Sequence, residues 1–340
     1  RTSDKQISGT HGIGVLMANS LMFQRFPDHN GYDDPQFSSF YGQTLPLLKR
    51  GIPVELVHME NTPFKDTFNG LQVLVMSYSN MKPMKSEYHN YLADWVKKGG
   101  TLVYCGEDVD PYQTVLEWWN TAGNAYKAPS EHLFEAMGLS RNPGDGTYRF
   151  GKGTVIVMRE DPKHFVLKGG NDRKYFETIV SAYESKTGKK IEIKNNFMVE
   201  RGPYTIAAVM DESSSKEPLK LSGLYIDLFD KDLPVLTVKQ INPGEQGYLY
   251  DLNKVLGKVK AKVLCGASRI YDEKVGKQSY SFVAKSPLHT TNVSRVLLPR
   301  KPGKVLVNGK AEQPEWDESS KTLLLSFEND PAGVNVSIEW

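Results

Sequence analysis

Cys105 follows the apolar run Thr101-Leu102-Val103-Tyr104 and precedes Gly106, the place where a parallel strand ends and where a hydrolase-type nucleophile would be held on a sharp turn. Such a turn needs small residues two positions before and after the nucleophile, and this chain has Val103 and Glu107 there. Asp108 and Asp110 lie close behind, and nearby carboxylates raise a thiol pKa and disfavour the thiolate. None of the seven histidines falls in an identifiable partner motif, so the favoured reading of Cys105 is a buried core thiol. Glu107, Asp108 and Asp110 are a second candidate, because clustered carboxylates at a strand end can ligate a hard cation or act as acid and base in glycoside hydrolysis. The favoured alternative is an acidic loop in which Asp110 caps the helix that Pro111 starts.

Aromatic residues are the third signal: Phe23, Phe26, Tyr32, Phe37, Phe40 and Tyr41, then Tyr112, Trp118 and Trp119. Flat rings stack on sugars, and Arg25 or a carboxylate could hydrogen-bond the hydroxyls, so Phe23, Arg25, Tyr41, Tyr112, Trp118 and Trp119 are candidate ligand residues, with core packing as the competing role. On a helix one indole of Trp118-Trp119 must point away from the buried stripe, towards an interface or a ligand. Asp28 to Asp34 places oxygen donors at alternating positions, as a calcium loop does, but lacks the terminal bidentate Glu; an ordinary polar turn is favoured and no metal site is expected.

The elements that must position these residues begin with Gly12 to Ala18, a buried strand followed by a long irregular segment from Asn19 to Gln36. Leu45, Leu47 and Leu48 lie on a helix that stops at Gly51, and Val54 to Val57 and Gln72 to Met76 read as buried parallel strands. Tyr88, Leu92, Trp95 and Val96 recur at helical spacing before Gly99-Gly100 and the Thr101 to Tyr104 strand. A helix around Val115 to Trp119, another from Ser130 to Met137 capped by Ser130, and a strand Thr154 to Met158 complete an α/β domain over residues 1–165. An amphipathic helix, Tyr175 to Lys186, leads a β-rich domain over 166–260 that includes Ile191 to Ile193, and a β-sandwich fills 261–340. Asn308-Gly309 marks a hairpin.

Composition bounds the function. Lys plus Arg (42) nearly balance Asp plus Glu (40), so a net charge of +2 supplies no field for a polyanion, and nucleic acid is not an expected partner. Two cysteines in different domains exclude a disulfide framework and are too few for a structural zinc site. No apolar run approaches the roughly 20 residues needed to span a bilayer. Arg1-Thr2-Ser3 without an initiator Met or signal pattern suggests a cut or processed terminus.

On Leu47-Leu48-Lys49-Arg50-Gly51-Ile52-Pro53-Val54, Leu71 to Ser77, Trp95 to Val103 and Gly151 to Val155, the first 160 or so residues resemble the glutamine-amidotransferase-like trimerisation domain that follows the catalytic barrel in β-galactosidases of glycoside hydrolase family 42. The tail, Val305 to Lys310 through Trp316-Asp317 and Thr322 to Trp340, resembles the closing β-sandwich of carbohydrate-active enzymes. The resemblance implies a flavodoxin-like, class I glutamine-amidotransferase-like doubly wound parallel sheet followed by one or two β-sandwich domains. It implies a non-catalytic accessory and oligomerisation region of a glycoside hydrolase-like protein that contributes to sugar binding in polysaccharide degradation. No catalytic residue carries over, because that family's acid and nucleophile belong to a barrel with no counterpart in these residues, and the Gly-x-Cys-x-Gly pattern is missing. No cofactor is implied; the partners are carbohydrate, further copies of the chain or a catalytic barrel, in the periplasm or outside the cell. The alternative is a hydrolase in its own right, with its site near Cys105 to Asp110.

Overall fold

Successive side chains on a strand leave by opposite faces, so a strand that is apolar throughout needs cover on both. The computed structural model describes residues 5–23, 37–167 and 171–340, and meets this need with two compact units, 8–195 with 212–215 and the remainder. Strand β1 (Lys5–Ile7) belongs to the second. In the first, β2 (Ile13–Met17), β3 (Glu55–His58), β4 (Val73–Met76), β5 (Thr101–Cys105), β6 (Gly146–Phe150) and β7 (Gly153–Met158) form one sheet in the order β3-β2-β4-β5-β7-β6. All its pairings are parallel, Val75 opposite Val103 and Val103 opposite Ile156 for example, except that β6 runs antiparallel to β7.

Five helices cover it: α1 (Ser38–Leu48), α2 (Glu87–Lys97), α3 (Pro129–Ala136), α4 (His164–Leu167) and α5 (Arg173–Thr187). Ile13, Val15, Val73, Val75, Val103 and Cys105 face a core shared with Leu47 of α1, Phe165 of α4 and Tyr175 and Ile179 of α5. Leu16, Leu74, Met76, Leu102 and Tyr104 face the other way, onto Leu92 and Val96 of α2 and Leu133 and Phe134 of α3. Helix α2 also carries Glu87 in its first turn and Lys97 in its last, charges that suit its dipole. None of the helices is long and apolar enough to cross a membrane, among the described residues.

Three expectations change. Helix α5 was expected to lead the second domain, with a boundary at 165; its stripe Tyr175, Ile179, Ala182 and Tyr183 packs on the parallel sheet instead, and the first unit runs to Asn195. Periodicity shows that a helix has an apolar face, not which sheet takes it. No helix forms at Val115 to Trp119: a 3-10 turn, Pro111–Thr114, ends where Val115 turns extended (φ −60°, ψ 135°). Ile191 to Ile193 forms no strand, and the Glu192 N–H donates to the Thr10 hydroxyl at 2.9 Å.

The second unit, among its described residues, is β apart from one 3-10 turn, Leu252–Lys254. With β1, strands β8 (Asn196–Arg201), β9 (Tyr204–Val209), β10 (Leu219–Asp227), β11 (Val235–Ile241) and β12 (Gln246–Asp251) form an antiparallel sheet ordered β1-β8-β9-β12-β10-β11. Strands β13 (Lys262–Gly266), β14 (Arg269–Val275), β15 (Ser279–Lys285), β16 (Thr291–Leu297), β17 (Lys304–Val307), β18 (Lys310–Glu312), β19 (Glu315–Asp317), β20 (Thr322–Glu328) and β21 (Val334–Glu339) make two more sheets, β13-β16-β20-β19 and β14-β15-β21-β17-β18. Val296, Leu323 and Leu325 from one and Tyr280, Phe282, Val336 and Ile338 from the other share one core, as in a sandwich. Asn308 (φ 47°) and Gly309 (φ 78°) make the tight turn between β17 and β18, both left-handed as a type I′ hairpin requires.

Candidate functional site

Ligands of parallel α/β sheets gather beyond the carboxyl ends of the strands, and here those ends carry Ser77 to Lys82 after β4, Gly106 to Asp110 after β5 and Arg159 to Asp161 after β7. Asp110 is 8% exposed and caps the 3-10 turn, accepting the Tyr112 N–H at 3.0 Å. It also accepts from the Lys82 ammonium at 2.9 Å, the Gln113 amide at 3.0 Å and the Asn80 N–H at 3.3 Å. Lys82 also donates to the Tyr78 carbonyl at 2.5 Å. A buried lysine and aspartate thus satisfy each other and tie the loop after β4 to the loop after β5.

Asp108 sits at φ 61°, in the left-handed region, and accepts from the Tyr104 hydroxyl, from Ser130 Oγ at 2.7 Å and from the Arg159 guanidinium at 2.7 Å. Burial raises its pKa, while these donors pull it down. Ser130 was expected to cap α3; its hydroxyl is drawn to Asp108, and the cap position holds Ala128 with no side-chain bond. Asp161, 5% exposed, accepts from Ser79 Oγ at 2.6 Å and from the Glu107 N–H at 3.0 Å. The Glu107 residue itself is exposed.

Cys105 is the last residue of β5 and points into the face covered by α4 and α5, beside Phe165 and Tyr175, with no exposure. Burial, together with the carboxylates of Glu160, Asp145 and Asp161, pushes its thiol far above the ordinary range. A thiol held neutral inside a core has no route to a substrate.

On the opposite face lies a relay that the sequence pattern did not reveal. The Tyr78 hydroxyl meets His89 Nε2 at 2.6 Å, and His89 Nδ1 meets His132 Nδ1 at 2.8 Å. Tyr78 and His89 are fully buried; burial raises the phenol pKa and, with His132 adjacent, lowers that of His89. The available signal was His89 at the spacing of Leu92, Ala93 and Val96, a polar residue on an apolar stripe. Trp118 stands edge-on to both imidazoles, at 5.6 and 5.3 Å, and its N–H donates to the Pro83 carbonyl at 2.8 Å. Trp119 is 2% exposed and donates to the Gln113 carbonyl, whereas Trp118 is half-buried. Tyr112 is buried; Tyr41 is 44% exposed on α1, edge-on to Phe37. Phe23 ends a 3-10 turn, Asn19–Phe23, while Arg25, Phe26, Tyr32 and the Asp28 to Asp34 segment lie outside the described residues.

The structure therefore brings Asp108, Asp110 and Trp118 to one end of the sheet and turns Cys105 and Trp119 inward. Among the described residues no three His, Cys, Asp or Glu side chains converge as metal ligands. What the arrangement does chemically is hold three loops together through inward-facing charges.

No protein-family model and no curated protein matches the sequence. Among solved structures the chain is similar to a β-galactosidase from Bacillus circulans sp. alkalophilus, at TM-score 0.43 and 11% identity over 72% of this chain and 42% of that one. It is also similar to a β-galactosidase from the haloarchaeon Halorubrum lacusprofundi (0.39, 14%, 72% and 40%) and to a GH42 exo-carrageenase from Bacteroides ovatus (0.29, 9%, 96% and 29%). The chain resembles GH42-type β-galactosidases in structure, and spans about two fifths of the length of those it matches.

Proposed function

We propose that the chain is a non-catalytic accessory and association region of a glycoside hydrolase-like protein, with an amidotransferase-like, flavodoxin-like doubly wound sheet as its associating part and further copies of the chain as its partner. The observation that carries this reading is the exposure of three large apolar side chains on the loops tied together near Trp118: Leu116 is 79%, Val109 70% and Met84 60% exposed. Leu116 and Trp118 share one loop, Trp118 bonds Pro83 next to Met84, and Val109 precedes the Asp110 that holds Lys82. Clustered exposed apolar side chains mark surfaces that associate. Among the described residues the same strand ends bring no nucleophile to a base, since Asp108, Asp110 and Asp161 are engaged internally and Cys105 is buried. The half-exposed Trp118 edge is the part of this surface suited to a sugar, and a periplasmic or extracellular setting goes with that role.

Sedimentation velocity on the full chain should give an oligomer, which Leu116→Asp combined with Val109→Asp should return to monomer without lowering its melting temperature. Chromogenic β-galactosides should not turn over. A monomer at every concentration removes the association reading, and turnover that is lost in Glu107→Ala restores the alternative of an independent hydrolase near Cys105 to Asp110.

A further inference from the structure

The β unit holds a cleft of about 820 Å³ between β9 and β12 on one side and β13, β16 and β20 on the other. That size falls within the roughly 300–1,000 Å³ of small-molecule sites. Tyr204 and Tyr248 line it, both half-buried, their ring centroids 5.7 Å apart and their planes 32° from parallel. Phe229, 62% exposed, extends the wall edge-on to Tyr248 at 5.9 Å. Neither tyrosine hydroxyl has a hydrogen-bond partner among the described residues. The floor, Leu264 and Val293, is apolar, and burial pushes the adjoining Cys265 thiol up to about 11, so it stays uncharged.

The rim is a loop held in a costly shape. Leu233 has φ 46°, a left-handed conformation that a branched side chain adopts at a cost of order 1–3 kcal/mol and that tends to persist where function needs it. Its carbonyl is pinned by Arg295 Nε at 2.8 Å, from an arginine only 5% exposed, and its N–H donates to the Asp230 carbonyl at 3.0 Å. The result places Asp230 and Asp232 at the opening, with Lys231 donating to both Asp232 oxygens at 2.9 and 3.0 Å.

We propose that this cleft binds a short neutral oligosaccharide, its ring faces against Tyr204 and Tyr248 and its hydroxyls hydrogen-bonded by Asp230, Asp232 and the two free phenols. Aromatic faces beside hydroxyl-accepting carboxylates suit a ligand that is apolar on its flat sides and polar at its edge. Two carboxylates against one lysine, itself paired with Asp232, disfavour uronate or sulfated sugars. The site is separate from the Trp118 surface and does not rest on the association reading.

Calorimetry of the full chain against cellotetraose, β-1,4-galactotetraose and tetragalacturonate tests this. At least one neutral tetrasaccharide should bind, Tyr248→Ala should weaken it tenfold or more, and Asp232→Asn and Phe229→Ala, both at exposed positions, should weaken it several-fold with unchanged melting. Tetragalacturonate should bind more weakly than either. No binding of a neutral sugar, binding indifferent to all three substitutions, or tighter binding of tetragalacturonate would overturn the proposal. Binding lost in Trp118→Ala but kept in Tyr248→Ala would also overturn it, while leaving the sugar role of the α/β unit standing.

Discussion

Two fully buried or half-buried imidazoles in contact cannot both be charged, and that fixes how the protein answers to acid. His89 is kept neutral by burial and by His132, and burial lowers His132 as well. In the unfolded chain both protonate near 6.5, so below that pH the unfolded state binds more protons than the folded one. Their contribution is complete above about pH 6.5 and is lost as pH falls through their folded values, with a slope of at most about 1.4 kcal/mol per pH unit for each group. Carboxylates that the structure depresses, Asp145 and Asp172 among them, act in a separate window, losing their contribution only as pH falls through and below the ordinary carboxylate range. Melting temperatures at pH 7.5 and 5.5 should therefore differ less in His89→Gln than in the parent, though the variant starts lower. Equal losses in both would show that the relay does not titrate this way.

Helices and strands carry a different lesson, because here a residue's neighbours outweigh its own preference. Gly42 lies in the middle of α1, where alanine would raise helix propensity by about 1 kcal/mol. A Cβ at this position would stand 1.8 Å from the Pro162 carbonyl oxygen, so the glycine is required by the chain that leads into α4. Gly42→Ala should lower stability by about 2 kcal/mol or more despite the better propensity, measurable by urea unfolding. A stabilised variant would mean that α4 approaches α1 less closely than this contact requires. Nothing in the sequence flags Gly42, since the contact joins segments far apart. Strands β4 and β5 were legible because each is a short apolar run between turn signals, and the Asn308-Gly309 hairpin because its turn needs two left-handed residues, whereas β3, read as buried, is an edge strand with Glu55 and Leu56 exposed. Strands β8, β11, β14 and β16 went unread: β14 is largely exposed and β8 has no clean alternation, so their pairing is dictated by neighbouring strands. At the strand ends, Asp110 as a cap was readable from the Asp-Pro pair, whereas Lys82, Arg159 and Asp161 were not, since tertiary folding alone brings them together.

At the scale of the molecule, the chain crosses repeatedly between its two units, and the short segment 212–215 returns to the α/β unit, where the Ser213 hydroxyl donates to the Lys49 carbonyl at 2.5 Å. Neither unit is one uninterrupted stretch of chain. Strand β1 bears the consequence, for its Lys5 to Ile7 pair with Arg201 to Val199 of β8, which follow the whole parallel sheet in the chain. On a ribosome, which delivers residues in order, the parallel sheet and its helices can close while β1 still has no mate. Throughout that interval the β1 segment lies unpaired beside a folded body, and Lys5 is the kind of charge that discourages it from pairing with another nascent chain. Nascent chains stalled shortly before Asn196 should thus be cut around Lys5 to Ile7 by a brief protease pulse while the sheet-bearing segment survives; protection of Lys5 to Ile7 at that stage would mean that β1 has found a temporary host.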